Sequence, residues 1–429
     1  MTQPPGATPT VEEFLAAVLG VVRPLAPLPV SLADAQGCLL AEDVTAPWPL
    51  PAEPLAQADG YALRSSDLVG LAAGSPVQLT VVGEVRAGES AASLSVQPGC
   101  AVRVRAGGNA PVGADVVVPL AWTDGSVPGR VTVHQAPPPP GWLRAAGSDL
   151  AAGATVLSRG TIVGGAHAGL LAAVGRSQVL VQPRPRVVIV STAPGLVEAG
   201  QVPGPGQTID AGSHLVAAAV RDAGGVAFRV GVLPDDAVSM YDALEDHLIR
   251  ADLVIATGGG GPRGASHGDT VAEVLSRLGA VRACRVRVQP GGSFAVGQVG
   301  PDQVPYIGVP GHPVSAYLAL HLFARPAIRV LAGLAAEDRT IGEATLGQPI
   351  SSTAGMRQLV PVHVDPVTGV ATAAMFPGVH PLGVLGSASA VAIIADDVTE
   401  LPVGAVVPVL WLERRISGAP VGVPAVSAG

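Results

Sequence analysis

From Arg184 onward the chain repeats one unit: an apolar, β-branched run, a glycine- or proline-rich loop, then a helical stretch. RVVIVST leads into APG, LVIAT into a loop with four consecutive glycines, and YIG into VPGHPVSA. The stretches SHLVAAAVRDAGG, DDAVSMYDALEDHLIRAD, DTVAEVLSRLG and VSAYLALHLFARPAIRVLAG read as helices, and VAFRVGVL, CRVRVQPG and FAVGQV as further strands. Strands alternating with helices imply a doubly wound parallel sheet with helices on both faces. Ligands of such sheets bind beyond the carboxyl ends of the strands. Three segments are therefore expected to face one crevice: STAPG from Ser191, TGGGGPRGASHGD from Thr257 and VPGHPVSA from Val309.

The remaining chain has a different texture. Thr10 and Glu13 form a capping-box pattern that starts a helix, VEEFLAAVLGVVRPL, ending at Pro24. SLADAQG reads as a second short helix stopped by Gly37. From Leu71 to Val133 short β-branched runs separated by Gly, Pro and Asn imply a β-rich unit. The run Pro137 to Pro140 reads as a stiff linker. The stretch after Trp142 is expected to pair with the N-terminal helices, because neither fragment buries a core alone. Residues 341–412 return to a β pattern, a small barrel or sandwich.

Composition narrows the function. The chain has 429 residues with a formal net charge of −8, which argues against nucleic acid or an anionic membrane as partner. All 25 basic residues are arginines. No lysine is present to form a Schiff base, clamp a phosphate or act as a base, and a Walker P-loop is excluded. The three cysteines, Cys38, Cys100 and Cys284, lie far apart in sequence, which points to a cytoplasmic compartment. No apolar run approaches a membrane span, and the N-terminus has no basic region before its apolar segment.

Glycines let backbone N–H groups approach a ligand, and the helix starting near Asp269 offers its positive end, so a phosphate-bearing ligand is expected. Alternatively, some of these glycines only make turns. Pro313 suits a first helical turn. His312 and His267 read either as ligand contacts or as solvated loop residues. Asp59, Asp210 and Asp269 are candidates for Mg²⁺ or a ribose hydroxyl. The alternative for Asp210 and Asp269 is a helix cap.

These segments together resemble one family. LAQADGYALRSSDL resembles the MDGYA segment of the molybdopterin molybdenumtransferases, which include the C-terminal domain of gephyrin. The resemblance continues in order through APVGADVVV, AAGSDLAAG, QTIDAGSHLVAAAVRDAGG, VGVLPDD, TGGGG and VPGHPVSA. It implies an elongated, homodimeric, four-domain molecule. Residues 8–47 with 141–181 would form a split linker domain and 48–140 a β-rich domain. Residues 182–332 would form a molybdopterin-binding α/β domain and 333–416 a C-terminal β-barrel, with 417–429 a disordered tail. The implied reaction is insertion of molybdate into adenylylated molybdopterin, with AMP released and a divalent cation, Mg²⁺, used.

Carried over by position, Asp59, Asp210 and Asp269 would act on the cation and nucleotide, with Asp59 and Asp210 as metal ligands. Thr192, Gly258, Gly259, Gly260, Ser266, Pro310, Gly311, His312, Pro313, Ser315, Arg357 and Ser387 would hold the pterin phosphate and molybdate. The departures are substantial. The family's TGDE is Thr192-Ala193-Pro194-Gly195, its KPGKP is Gln289-Pro290-Gly291-Gly292-Ser293, and the threonine of its MTGAP is Ala106. Each oriented charge removed from a desolvated site costs roughly 10²-fold in rate or more. Arg263, Arg285 and Arg287 are candidates to replace lost positive charge, with Arg285 and Arg287 on one strand face, where they either act together or form only a solvated edge. Three functions stay open: a divergent molybdenumtransferase, a paralogue that binds molybdopterin or a partner without turnover, or a different nucleotide enzyme on the same sheet, which the doubly wound core permits and the shared outer domains count against.

Overall fold

The computed structural model describes residues 8–69, 71, 75–124, 127–191, 193, 195–233, 237–258, 274–337, 341–373 and 381–412. The chain forms two compact units, Pro27–Val181 and Met1–Ala26 with Gln182–Gly429.

The second of these holds a six-stranded sheet in the order Val226–Val232, Arg186–Ser191, Leu253–Thr257, Val304–Val309, Ser293–Val299, Gly279–Arg285. The first four strands are parallel and the last two antiparallel, so the sheet is mixed where the alternation implied an all-parallel one. The cause is local. Ser293–Val299 returns as Val304–Val309 through a turn at Gly300 and Gln303, with φ of 73° and 53°, and a parallel crossover needs a dozen residues or more.

Alternate strand residues feed opposite cores, as a period of two requires. Val187, Ile189, Leu253 and Ile255 face the helices Gly212–Asp222 and Pro313–Ala319. Val188, Val190, Val254 and Ala256 face Ala237–Leu248 and the helical turn at 274–278. Pro313–Leu331 is one continuous helix of 19 residues, and its turn Leu320–Ala324 widens to π type just before Pro326. Proline has no N–H to return to the preceding turn, and the wider turn accommodates that loss. This helix is long and apolar enough to cross a membrane, which reading the sequence by uninterrupted apolar runs did not show. It is mostly buried inside the unit, as a core helix is.

The capping box forms: the Thr10 hydroxyl accepts the Glu13 N–H at 3.1 Å, and Glu13 accepts the Thr10 N–H at 2.9 Å. The helix Val11–Val21 does not pair with the stretch after Trp142. Its Phe14 is fully buried against Phe294 and Phe323, ring centroids 5.2 and 4.8 Å apart, inside the α/β core. The pairing expected from the N-terminal region is made by strands instead: Leu28–Ser31 with Gln178–Gln182, and Val44–Thr45 with Thr155–Leu157. SLADAQG is a series of turns and no helix. The Ser31 hydroxyl donates to Asp34 at 2.6 Å and Gly37 sits at φ 79°, so local side-chain bonds replace the helical ladder.

Five C-terminal strands, Ile341–Leu346, Arg357–Val364, Val370–Ala373, Ala390–Ile394 and Val406–Trp411, close on themselves as a barrel. Val288–Gln289 joins this barrel beside Arg357 and Gln358. Pro27–Val181 carries a six-stranded β sheet that includes Gly60–Leu63, Val77–Val85 and Cys100–Val104. A separate core in the same unit is built from residues 35–46 and 157–181.

Candidate active site

The register of the α/β sheet brings three loops together. Ser191 pairs with Thr257, and Thr257 with Val309, so the strands Arg186–Ser191, Leu253–Thr257 and Val304–Val309 end side by side at their carboxyl ends. The Ser191 and Thr257 hydroxyls are buried and hydrogen-bonded at 3.0 Å. The Gly258 N–H donates to the Val309 carbonyl at 3.2 Å. Beyond that rung two loops touch backbone to backbone, since a Cβ on Gly311 would lie 3.1 Å from the Gly258 Cα.

His312 is the N-cap residue and Pro313 opens the long helix. The N–H groups of a first turn lie outside the helix's own ladder and are available to an anion. Against this turn packs Gln289-Pro290-Gly291-Gly292. Gly291 has φ 90°, and a Cβ there would stand 2.9 Å from Pro310 and 3.2 Å from the buried Ser315. This is where the resemblance expects two lysines. The loop brings backbone and no charge, and Gln289 spends its side-chain oxygen on the Thr353 hydroxyl at 3.2 Å.

Asp210 is buried, 2% exposed, at the start of the helix Gly212–Asp222. One of its oxygens accepts the Ser213 N–H at 3.0 Å and the other the Ser213 hydroxyl at 2.5 Å, the geometry of a cap. Arg229 lies 3.8 Å from Asp210, donates to Ser213 Oγ at 2.7 Å, and grips Glu198 with bonds of 2.9 and 2.7 Å.

Asp59 belongs to the unit Pro27–Val181 and is half exposed. Its Oδ1 accepts the Ala106 N–H and its Oδ2 accepts from Arg105 Nη1, both at 2.9 Å. The backbone N–H of Ala106, then the Arg105 guanidinium, hold the Asp59 carboxyl below its ordinary range. The pair in turn raises the Arg105 pKa. Nearby an open cavity of about 560 Å³ is lined by Leu55, Ala56, Gln57, Gly107, Trp142 and Arg144, a volume within the range of small-molecule sites.

A divalent cation fits poorly on these carboxylates. A cation there would meet a resident positive charge, since the Arg105 guanidinium stands 2.9 Å from Asp59 and that of Arg229 3.8 Å from Asp210. Among the described residues no three His, Cys, Asp or Glu side chains gather as a metal site.

Arg357 pairs with Glu12, and its N–H donates to the Arg287 carbonyl at 3.0 Å. Ser387 is on the barrel, its hydroxyl donating to the Val384 carbonyl at 3.1 Å. Arg285 and Arg287 do not share a strand face. The strand ends at Arg285, and Arg287 is held by the Pro9 carbonyl at 2.9 Å as the chain crosses into the barrel. Thr192, Gly259, Gly260, Ser266 and Asp269, with Arg263 and His267, lie outside the described residues. Reading the sequence missed Arg105 and Arg229. Arg105 is 46 positions from Asp59, and no local spacing announces the pair.

The comparisons agree with this geometry. Residues 9–175 match the model of the MoeA N-terminal region (domain I and II), and residues 186–330 match a probable molybdopterin binding domain. Molybdopterin molybdenumtransferase 1 of Mycobacterium tuberculosis is 36% identical over 428 residues, covering 95% of this chain and 99% of the relative. Molybdopterin molybdenumtransferase 2 of that organism is 36% identical over 399 residues, covering 92% and 97%. A crystal structure of a molybdopterin biosynthesis MoeA protein from Pyrococcus horikoshii superposes with a TM-score of 0.76 at 26% identity, covering 95% of this chain and all of that one. With its mixed central sheet, β-rich unit and closed C-terminal barrel, this chain belongs to the molybdopterin molybdenumtransferase family.

Proposed function

We propose that the protein inserts molybdate into adenylylated molybdopterin with release of AMP, in molybdenum cofactor biosynthesis. The observation that carries this is the alignment of Ser191, Thr257 and Val309 at one sheet end, with the Pro310–Ser315 turn and Gly291–Gly292 packed there. Backbone amides at this end, with Pro310, Gly311, His312, Pro313, Ser315 and Gly258, hold the pterin phosphate and molybdate. Thr192, Gly259, Gly260, Ser266, Asp269, Arg357 and Ser387 complete the substrate contacts. Mg²⁺ enters with the substrate's phosphates, because an arginine stands beside each of Asp59 and Asp210. The protein works as a cytoplasmic homodimer, and its domains divide near residues 48, 141, 182 and 333, with the helix Val11–Val21 assigned to the α/β core.

One observation favours the second reading, pterin binding without turnover. Gly195 stands where the family has the final acid of TGDE. It has φ 70°, and a Cβ there would lie 2.6 Å from the Gly206 carbonyl oxygen.

Purified protein supplied with adenylylated molybdopterin, Mg²⁺ and molybdate tests both readings. Molybdate-dependent AMP release supports the transferase. A flat time course with calorimetric pterin binding supports the binding protein, and absence of binding rejects both.

A further inference from the structure

The two aspartates that the resemblance assigns to a divalent cation share one unexpected property: each carries a resident arginine. The sheet register imposes the first pair. Gly60 pairs with Val104 and Tyr61 with Arg103, which sets Asp59 beside Arg105. On the next strand Glu84 pairs with Arg103, and its carboxylate lies 3.5 Å from Arg105 and 3.9 Å from Arg103. Charge alternates along the row Asp59, Arg105, Glu84, Arg103. A pair this exposed, with side chains 45% and 42% accessible, contributes little to stability. Yet it places a positive charge 2.9 Å from the Asp59 carboxylate, on the side that a cation would approach.

The second row has the same logic and is more deeply set. Asp210 is 2% exposed, and Arg229 Nη2 stands 3.8 Å away while bonding Glu198 at 2.7 Å. The acid that would join Asp210 around an ion has no place at Gly195, where a side chain would meet a carbonyl oxygen at 2.6 Å.

The chemistry of the two cations differs. Mg²⁺ demands near-octahedral oxygen ligands at about 2.0–2.1 Å. A guanidinium needs no such cage. It neutralises one carboxylate and still offers N–H donors in a planar fork to a phosphate or another oxyanion. A chain whose 25 basic residues are all arginine has only this side chain, besides histidine, to supply fixed positive charge.

We propose that Arg105 on Asp59 and Arg229 beside Asp210 occupy the places the resemblance gives to a divalent cation, so that neither aspartate binds one and each guanidinium offers its remaining N–H donors to an oxyanion. The oxyanion part rests on the transferase reading, and the cation part does not.

The test uses Mn²⁺ alone as the probe, followed by electron paramagnetic resonance on the full chain. Mn²⁺ titrations of wild type, Asp59→Asn and Asp210→Asn are expected to superimpose. Arg105→Met releases Oδ2 of Asp59 and removes a repelling charge, so Mn²⁺ affinity rises by roughly tenfold or more. The double variant R105M/D59N loses the gain. The Arg105→Met arm concerns a half-exposed side chain and stands even if Asp210→Asn does not fold. A wild-type Mn²⁺ site that disappears in either aspartate variant overturns the proposal, and so does an Arg105→Met protein that gains nothing. Loss of AMP release with this Mn²⁺ pattern intact counts against the transferase reading alone.

Discussion

Replacing Asp210 with alanine should destabilise the α/β unit, and the structure sets the size of the effect. Asp210 caps the helix Gly212–Asp222 through the Ser213 N–H and also accepts the Ser213 hydroxyl, where both residues are buried. Loss of an N-cap costs about 1 kcal/mol. A buried hydroxyl left without an acceptor costs roughly a further 1–3 kcal/mol. The Ser213 oxygen is already engaged by Arg229, so its hydrogen cannot simply exchange roles. Arg229 keeps Glu198 and adds no orphaned charge. The total is about 2–4 kcal/mol, or roughly 5–15 °C in midpoint temperature for a unit of this size. Asp210→Asn should lose less, because its amide oxygen still accepts the Ser213 N–H. Thermal unfolding followed by circular dichroism reads both variants. An Asp210→Ala protein within about 2 °C of wild type would refute the cap and return the carboxylate to the pool of free ligands.

Asp59 should titrate below the ordinary carboxylate value of about 4 in a carbon-13 NMR experiment, and Arg105→Met should move it upward; an unchanged titration contradicts the pairing. A carboxylate held ionised by its partners contributes fully above its unfolded pKa and loses that contribution as pH falls through the lowered folded value. The pair is therefore intact at neutral pH and weakens only in acid. Phe14→Ala removes a fully buried ring from the cluster with Phe294 and Phe323 and should cost roughly 3–5 kcal/mol, measurable by denaturant unfolding; a loss under about 1 kcal/mol would place the N-terminal helix outside the core. Gly195→Ala should cost at least about 1–3 kcal/mol from its left-handed backbone and the nearby carbonyl, and a neutral thermal shift would argue against that loop geometry.

Much of the fold was legible where one short-range pattern decides it. The unbroken apolar runs in RVVIVS and LVIAT mark strands buried on both faces, and the register of those strands carries the three loops to one end. The Thr10–Glu13 box and the start at Pro313 are local rules that the structure follows. What failed depended on distant partners. The sequence did not show that Ser293–Val299 would turn back antiparallel, that Val288 and Gln289 would leave for the barrel, or that Phe14 would seek Phe294 and Phe323. SLADAQG has helical composition but too little length to beat its own serine and aspartate side chains. The arginine partners of Asp59 and Asp210, 46 and 19 positions away, were invisible because register and folding, and no motif, bring them together.

The proposed chemistry stands on the Pro310–Ser315 turn holding oxyanions at the sheet's carboxyl end. Crystals soaked in molybdate and measured at the molybdenum absorption edge test it directly. An anomalous peak is expected within hydrogen-bonding reach of that turn and of Gly258. Molybdate found only elsewhere, or at the opposite end of the strands, contradicts it.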